Sequence, residues 1–442
     1  MTYYHQGLFM PRVVAVRMAA GLGNGYSFGN DFYPVWLTSR EWVRAGRDPY
    51  SAEITREIQR GLFGRPLDSR IPTDPPIDYR TFAYPAFTDL LFWPAAEFPF
   101  PLVRVALVCA LAALTFASVL LWLRVLDWRL NWNWLAVILL LTLTSYPALE
   151  ALFAAQLGLL VAFLLAAALL AIQRNRFLLA GILMALTTIK PQMTVLAIFY
   201  LLLWSAHDWR VRGRFCIGFV STLTLLLGTS LAALPHWIQS WTHILLAYPR
   251  YAMPPLVTEV LTSHLGPRFA GPAALALTVA AMIIASVLAW RNRAAACGSF
   301  AFWMTLTLLL SITTITILPG QAIYDHFILL PGILLLVRYR SPIRDAGRAP
   351  RMLLSLGALV LFWPWIAAFA LILLRPWLAP ADFNSTAIFT LPIRTAASLP
   401  FAVLALLAWT MRVIPARLIS SPPNPADLNP GCLNPGKNPE PA

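Results

Sequence analysis

Residues 102–124 read LVRVALVCALAALTFASVLLWLR, an almost wholly apolar run. As an α-helix, a run of roughly 20 residues is long enough to cross about 30 Å of hydrocarbon. Similar runs recur along most of the 442-residue chain, which is 59% hydrophobic and only 12% charged. A soluble domain of this size could not carry that composition at its surface, so the chain must be solvated by lipid.

The spanning elements are predicted to be helices, because the apolar runs lack the alternation of barrel strands. The mean hydropathy of +0.68 is consistent with many such helices. We therefore expect an all-α polytopic membrane protein with about eleven or twelve transmembrane helices.

The apolar runs and the polar stretches between them divide the chain into six parts. The first part is a poor transmembrane segment, because Arg12, Arg17 and several glycines interrupt it. Either it inserts imperfectly or the chain begins further upstream. The parts are 1–29, a weak first transmembrane segment; 30–101, an outer loop; 102–234, transmembrane helices; 235–267, a second outer loop; 268–413, transmembrane helices; and 414–442, a disordered cytoplasmic tail.

Arginines predict the orientation, since the cytoplasmic loops of membrane proteins carry an excess of Lys and Arg. One set of alternate loops is rich in arginine, whereas the short loops opposite hold little beyond Lys190, Arg375 and Arg394. The arginine-rich set should face the cytoplasm of a cell whose plasma membrane holds the protein. The same bias explains the net charge of +14, so no nucleic-acid partner is expected.

The first outer loop contains two amphipathic patterns. One runs from Val35 to Val43 at helical spacing, with Arg40 and Arg44 on another face. The second begins at Ser51 and has an apolar residue every three or four positions. Both helices are expected to lie flat on the outer leaflet. They could serve only as anchors, or their arginines could bind the phosphate of a lipid-linked donor.

Ionisable residues beside the apolar runs gather at one predicted face of the membrane. They are Asp31, Glu150, Lys190, Asp325 and His326, each placed at the outer end of a helix. A transporter would distribute such groups through the midplane of the bilayer. The pattern instead favours a site at the outer interface, where a lipid head group and a water-soluble acceptor can both reach.

Lys190 is the most informative of these residues. The helix before it, at 177–189, is only about 20 Å long, and Pro191 interrupts the next apolar run at its start. The lysine should therefore be buried, where its ammonium costs a few kcal/mol unless an anion such as a lipid phosphate lies beside it. Alternatively, Lys190 extends from a helix end toward water.

Asp31 lies where the chain meets the interface and could act as a general base, taking a proton from an acceptor hydroxyl. It could equally be a helix cap. The Asp325-His326 pair could orient an acceptor or neutralise a leaving phosphate, or it could be ordinary loop polarity.

Motifs of soluble nucleotide and zinc chemistry are absent from the sequence: there is no P-loop, Rossmann glycine pattern, HExxH or CxxC. An energised small donor would then most naturally be lipid-linked. No metal site or cofactor is predicted, although a divalent cation could supplement Lys190 at a phosphate.

Six short motifs occur in a fixed order. They are DFY at 31–33, AGRDPY at 45–50, AYPAF at 83–87, QLG at 156–158, IKP at 189–191 and YDH at 324–326. In order and spacing they resemble glycosyltransferase family 87, a GT-C type family that includes polyprenyl-phosphate-mannose-dependent mannosyltransferases. The resemblance covers roughly residues 28–340, and Ala86 departs from the family pattern by replacing a proline.

The resemblance implies a GT-C-type helix bundle that transfers a sugar, mannose in that family, from a polyprenyl phosphate to a glycolipid or glycan hydroxyl with inversion. Asp31 would be the catalytic base, and His326 a second functional residue near the reaction centre. The residues expected at the donor phosphate are Lys190, Arg80, Arg40 and Arg44, and those expected at the substrates are Tyr84, Gln156 and Asp325.

Two other functional classes remain open from the sequence. The first is a transporter or flippase of lipid-linked intermediates, which repeated topology and mid-membrane charges would favour. Neither feature is visible in the sequence. The second is an inactive relative that binds donor and acts as an assembly partner in envelope synthesis.

Overall fold

The structure is a computed structural model that describes residues 1–23, 28–250, 252–320, 322–377 and 389–413. Within these ranges the chain is largely helical and forms no β-strand, which confirms the all-α class. The predicted tail, 414–442, lies outside the described residues.

The first half of the described chain contains eleven helices. In order they are α1 (Met10–Ala19), α2 (Tyr33–Ala45), α3 (Ala52–Phe63), α4 (Phe87–Ala96), α5 (Phe100–Val125), α6 (Trp132–Leu143), α7 (Tyr146–Ala154), α8 (Gly158–Gln173), α9 (Phe177–Leu186), α10 (Pro191–His207) and α11 (Trp209–Ala233). A π-helical turn, Tyr4–Phe9, precedes α1, and a 3-10 turn, Thr187–Ile189, follows α9.

The second half continues with α12 (Trp237–Ala247), α13 (Leu256–Leu265), α14 (Pro267–Arg291), α15 (Phe300–Thr316), α16 (Leu330–Arg338), α17 (Arg340–Asp345), α18 (Arg348–Leu374), α19 (Leu391–Ala396) and α20 (Leu399–Val413). Three 3-10 segments, Tyr248–Arg250, Ile323–Leu329 and Arg375–Trp377, lie between these helices.

Five of the described helical stretches are long and apolar enough to cross a membrane, and α6 with α7 adds a sixth if that pair, bent by 57°, counts as one span. Shorter apolar helices are α8, α9 with its 3-10 turn, and α15. The sequence-based prediction of eleven or twelve transmembrane helices was obtained by counting each apolar run as one span. In the structure several of those runs are short or broken. The full-length candidates are Phe100–Val125, Trp209–Ala233, Arg268–Arg291, Arg348–Trp377 and Leu391–Arg412.

Helix α3 confirms the second amphipathic pattern of the outer loop. The Ser51 hydroxyl accepts a hydrogen bond from the Ile54 amide at 3.3 Å and so caps the helix. Ile54, Ile58 and Leu62 are buried, and the helix ends at Gly64. The amphipathic face is thus directed into protein, and its predicted position on the outer leaflet stays a prediction.

Helix α2 confirms that the first pattern is helical, with Val35, Trp36 and Trp42 buried but Val43 exposed, and it packs against α4. Asp89 of α4 is fully buried against α2, where its carboxylate accepts hydrogen bonds from the Thr38 and Ser39 hydroxyls at 2.9 and 3.1 Å. Burial raises the pKa of the Asp89 carboxyl well above its ordinary value, and the two hydroxyl donors only partly oppose this. The predicted outer loop, 30–101, is therefore folded, and its buried residues are continuous with those of the later helices.

The N-terminal segment lies against the outer loop and the region near residue 389. The Arg12 guanidinium is 4.6 Å from the centre of the Phe389 ring, and the Arg17 guanidinium is 5.2 Å from that of Phe63. Arg17 also donates to the Leu62 carbonyl. Helix α1 is not one of the described helices that are long and apolar enough to cross a membrane. These contacts with protein show what surrounds Arg12 and Arg17, the two charged residues that make 1–29 a poor transmembrane segment.

Close packing of α9 on α11 fixes the direction in which the chain arrives at Lys190. A Cβ atom on Gly181 would collide with the Phe215 carbonyl, and one on Gly218 with the Leu178 carbonyl. Glycine at both positions lets the two backbones touch, as small residues do in membrane helix pairs.

Candidate active site

Four interruptions of helical structure meet at one place. Asp31 precedes α2, Gln156 lies between α7 and α8, Lys190 lies between α9 and α10, and Asp325 belongs to a 3-10 segment. Together with Arg80 of the outer loop these side chains form a continuous chain of contacts, here called the polar network. Helix ends leave backbone groups without intrahelical partners, which makes them natural places for polar side chains to collect.

Lys190 and Asp325 form the buried end of the polar network. The Lys190 ammonium donates to both carboxylate oxygens of Asp325, at 2.7 and 2.9 Å, and only 5% and 2% of the two residues are exposed. The sequence-based expectation of a buried lysine is confirmed, and its anionic neighbour in the structure is Asp325. The contact of Lys190 with a donor phosphate stays a prediction.

Gln156 connects the two charged pairs. Its side-chain amide nitrogen donates to Asp31, and its amide oxygen accepts from the Lys190 ammonium at 2.9 Å. The opposite orientation would point the amide N–H groups at the ammonium, so the two contacts define which way the amide faces. Gln156 therefore holds Asp31 and Lys190 one side chain apart.

Asp31 and Arg80 form the accessible end of the polar network. One Asp31 carboxylate oxygen pairs with Arg80 and the other accepts from Gln156. The Asp31 amide donates to the carbonyl of Ala154 at 3.1 Å, which ties the loop to the end of α7. The Asp31 side chain is 11% exposed, compared with 3% for Asp325.

The network contains two carboxylates and two cations, each paired. Asp325 is held by Lys190 away from solvent, whereas the Asp31 carboxylate is partly open beside Arg80. A general base must reach the proton that it removes. Asp31 meets this requirement better than Asp325, because both Asp325 oxygens accept hydrogen bonds from Lys190 in a buried position.

Gly158 is needed for the buried pair to sit against α8. A Cβ atom at this position would collide with the Asp325 carboxylate and would lie 3.4 Å from the Met193 sulfur. The QLG motif thus supplies a polar bridge at Gln156 and the space beside it for Asp325.

Tyrosines surround the two carboxylates. The pKa of Tyr84 is raised well above its ordinary value by burial and then by the charges of Asp31 and Asp325, and the pKa of Tyr248 is raised for the same reasons. Each keeps a protonated hydroxyl that can donate a hydrogen bond. Tyr84 was predicted from the sequence. Tyr248 was missed, and its only signal was its place in an aromatic outer loop.

His326 lies beside the polar network but does not join it. It is 2% exposed, and its ring is near the Ala396 backbone, yet neither ring nitrogen makes a hydrogen bond of acceptable geometry within the described residues. The imidazole lines a groove between helices instead. A buried polar group of this kind usually has a partner, so a bound ligand could supply it.

Three predicted residues are not brought to this place. Arg44 pairs with Glu97 at 2.6 Å on the exposed surface, and Arg40 lies over a tryptophan ring of its own helix. Glu150 pairs with the buried His5 at 2.6 Å. The described contacts do not join any of them to the polar network. In the part of the chain that the structure describes, no group of three or more His, Cys, Asp or Glu side chains is arranged to hold a metal.

Comparison with known proteins gives one match. A family model described as glycosyltransferase family 87 matches residues 82–319, which is more than half of the chain. Gln156 and Lys190 fall inside the matched region, and Asp31, Arg80 and Asp325 fall outside it. No curated protein and no solved structure matches the chain.

Proposed function

This chain belongs to glycosyltransferase family 87, and from that premise we propose that it moves a sugar from a polyprenyl phosphate to a glycolipid or glycan hydroxyl. The chain is a multi-pass membrane glycosyltransferase. Mannose is the sugar that we propose, from the resemblance of the sequence motifs. The proposal also places the reaction at the outer face of a plasma membrane, which the distribution of arginines supports.

The observation that carries the proposal is the arrangement of Asp31, Gln156 and Lys190. A partly open carboxylate and a buried ammonium are held one amide apart. This is a suitable spacing for a reaction with a proton to remove on one side and a phosphate to release on the other. Asp31 would take the proton from the acceptor hydroxyl, while Lys190 would face the phosphate.

The proposed reaction is a single displacement. The acceptor oxygen attacks the anomeric carbon as Asp31 removes the hydroxyl proton, and the bond between that carbon and the phosphate oxygen breaks. The polyprenyl phosphate leaves with the bonding electron pair. Attack from the side opposite the leaving group inverts the configuration of the anomeric carbon. Tyr84 would donate a hydrogen bond to a sugar or phosphate oxygen.

A sided transfer assay tests the proposal. Right-side-out vesicles that contain the protein receive radiolabelled polyprenyl-phosphate mannose, and transfer into glycolipid or glycan is measured beside vesicles without the protein. We expect labelled product that an added mannose-binding lectin, which cannot cross the membrane, captures.

Each part of the proposal has its own contradicting outcome in this assay. Transfer from a nucleotide sugar but not from the lipid-linked sugar would reject the donor class. Product hidden from the lectin until the vesicles are opened would reject the outer face. Movement of the donor across the bilayer without labelled product would favour the flippase alternative, and donor binding without turnover would favour the inactive assembly partner.

A further inference from the structure

A groove of about 800 Å³ leads away from the polar network between α6, α16, α18 and α20. His326 and Tyr146 line the end near the network, and Arg129, Arg338 and Arg340 line the far end. Aliphatic and aromatic side chains form the walls between them. The groove therefore has a charged end and an apolar body.

The depth of the groove matches one layer of lipid. Residues from Leu354 to Trp365 of α18 line it, and this stretch of helix rises about 17 Å. The hydrocarbon of one leaflet is about 15 Å thick, half of a typical bilayer core. The body of the groove can thus hold acyl chain along the thickness of the leaflet at the arginine-rich face.

Positive charge is in excess at the far end. Three arginines line it against one carboxylate, Asp127. None of the three arginines forms an ion pair with a carboxylate in the described part of the chain, and Arg340 donates only to the Val337 carbonyl, at 3.1 Å. An anionic group at this position would meet guanidinium donors that no protein carboxylate occupies.

Buried donors without partners also point to a ligand at this end. Trp128 lines the groove and is 7% exposed, and its indole N–H has no hydrogen-bond partner among the described residues. The Nε atom of Arg338 is likewise buried and without a partner. Such groups are costly to bury unless something accepts their hydrogen bonds. A phosphate or ester oxygen of a lipid would do so.

We infer that this groove binds an anionic phospholipid from the leaflet at the arginine-rich face. The head-group phosphate lies among Arg129, Arg338 and Arg340, and an acyl chain fills the apolar body. A polyprenyl donor would have to place its apolar tail end among the arginines, so the charged end favours a phospholipid. The inference does not depend on the proposed transfer, since this ligand lies at the end of the groove remote from Asp31.

Binding of labelled phosphatidylglycerol by the purified full-length protein in a neutral detergent tests the inference. The head-group variant is Arg129→Gln/Arg338→Gln/Arg340→Gln, and its matched control is Arg174→Gln/Arg176→Gln/Arg210→Gln, which removes the same charge from exposed arginines elsewhere. Each basic residue near an anionic lipid contributes roughly a fivefold factor in affinity. We therefore expect the first triple variant to bind about 100-fold more weakly and the control to bind as the wild type does.

A second variant tests the groove itself. Ala358 lines the groove, so Ala358→Phe should fill it and lower phosphatidylglycerol binding while every arginine stays in place. Phosphatidylcholine and soluble glycerol phosphate should bind poorly, because the first lacks net negative charge and the second lacks acyl chains.

Four results would overturn the inference. They are equal binding of phosphatidylcholine and phosphatidylglycerol, equal losses in the two triple variants, unchanged binding by Ala358→Phe, and stoichiometric displacement of the phospholipid by the polyprenyl-phosphate sugar. The last result would assign the groove to the donor. Circular dichroism and size-exclusion chromatography of each variant separate a lost site from a lost fold.

Discussion

Asp31→Asn is expected to lower the rate of sugar transfer by about 10²- to 10⁴-fold, which is the range that a positioned general base contributes. Asparagine keeps the shape of the side chain, but its single carbonyl oxygen can replace only one of the two carboxylate oxygens that accept from Arg80 and Gln156. It cannot take a proton from the acceptor hydroxyl. Transfer from radiolabelled polyprenyl-phosphate sugar, measured in membranes with equal amounts of protein, reports the loss.

Two comparisons make this result specific to the base. Asp68→Asn, which changes a carboxylate in an exposed ion pair with Arg70, should leave transfer unchanged. Thermal unfolding of Asp31→Asn should show a loss of about 1–3 kcal/mol of unfolding free energy, because one donor to the largely buried carboxylate loses its acceptor, so transfer is compared at equal amounts of folded protein. Equal product from Asp31→Asn and wild type would remove Asp31 from the role of base.

Lys190→Met should both destabilise the protein and abolish use of the donor. It leaves the Asp325 carboxylate buried without its cation, and removal of one partner from a buried ion pair costs about 3–5 kcal/mol of unfolding free energy. Donor use should fall because the donor phosphate shares the same ammonium under the proposed mechanism. Thermal unfolding and transfer are measured on the same preparation.

The double variant Lys190→Met/Asp325→Leu separates the two effects. Replacing both members of a buried ion pair with apolar side chains is often neutral or stabilising, so the unfolding temperature should recover. Transfer should not recover, because no ammonium remains to face the phosphate. A double variant that regains transfer along with stability would show that Lys190 acts only as the counterion of Asp325.

Local patterns predicted local structure well. Ser51 and the apolar residues after it predicted the start, the buried side and the end of α3, because capping and helical periodicity depend on near neighbours. The burial of Lys190 was predicted from a short helix and the proline after it. These predictions needed no knowledge of which helices pack together.

Contacts between distant parts of the chain were beyond such patterns. The sequence singled out Gln156, but nothing in it indicated that its amide would reach Asp31, 125 positions earlier. The contact of Arg80 with a donor phosphate stays a prediction, and its pairing with Asp31 in the structure was not foreseen. Arg44 pairs with Glu97 at the surface. Charge and periodicity say that an arginine needs an anion, but tertiary packing decides which anion is nearest.

The number of spans illustrates the same limit at a larger scale. Hydropathy marks where lipid or protein interior can surround a helix, but it does not tell these two environments apart. Helix α15 is apolar and almost entirely buried in protein, and it is too short to count among the described full-length spans. Apolar runs alone therefore give a larger number than the five described helices that are long and apolar enough to cross a bilayer in one piece.

The paired charges around Asp31 bear on how the enzyme would finish a catalytic cycle. The two carboxylates of the polar network are matched by two cations, so the network itself has no net positive charge to offer an incoming lipid. Transfer of the sugar turns a phosphodiester with one negative charge into a monoester with about −1.5 to −2 near neutral pH. Once Asp31 has passed the acceptor proton to water and is again paired with Arg80, the spent carrier should therefore be the weaker ligand of the two, and its escape should become easier as the solution is made more alkaline. Inhibition of transfer by added polyprenyl phosphate, followed across that pH range, measures the effect.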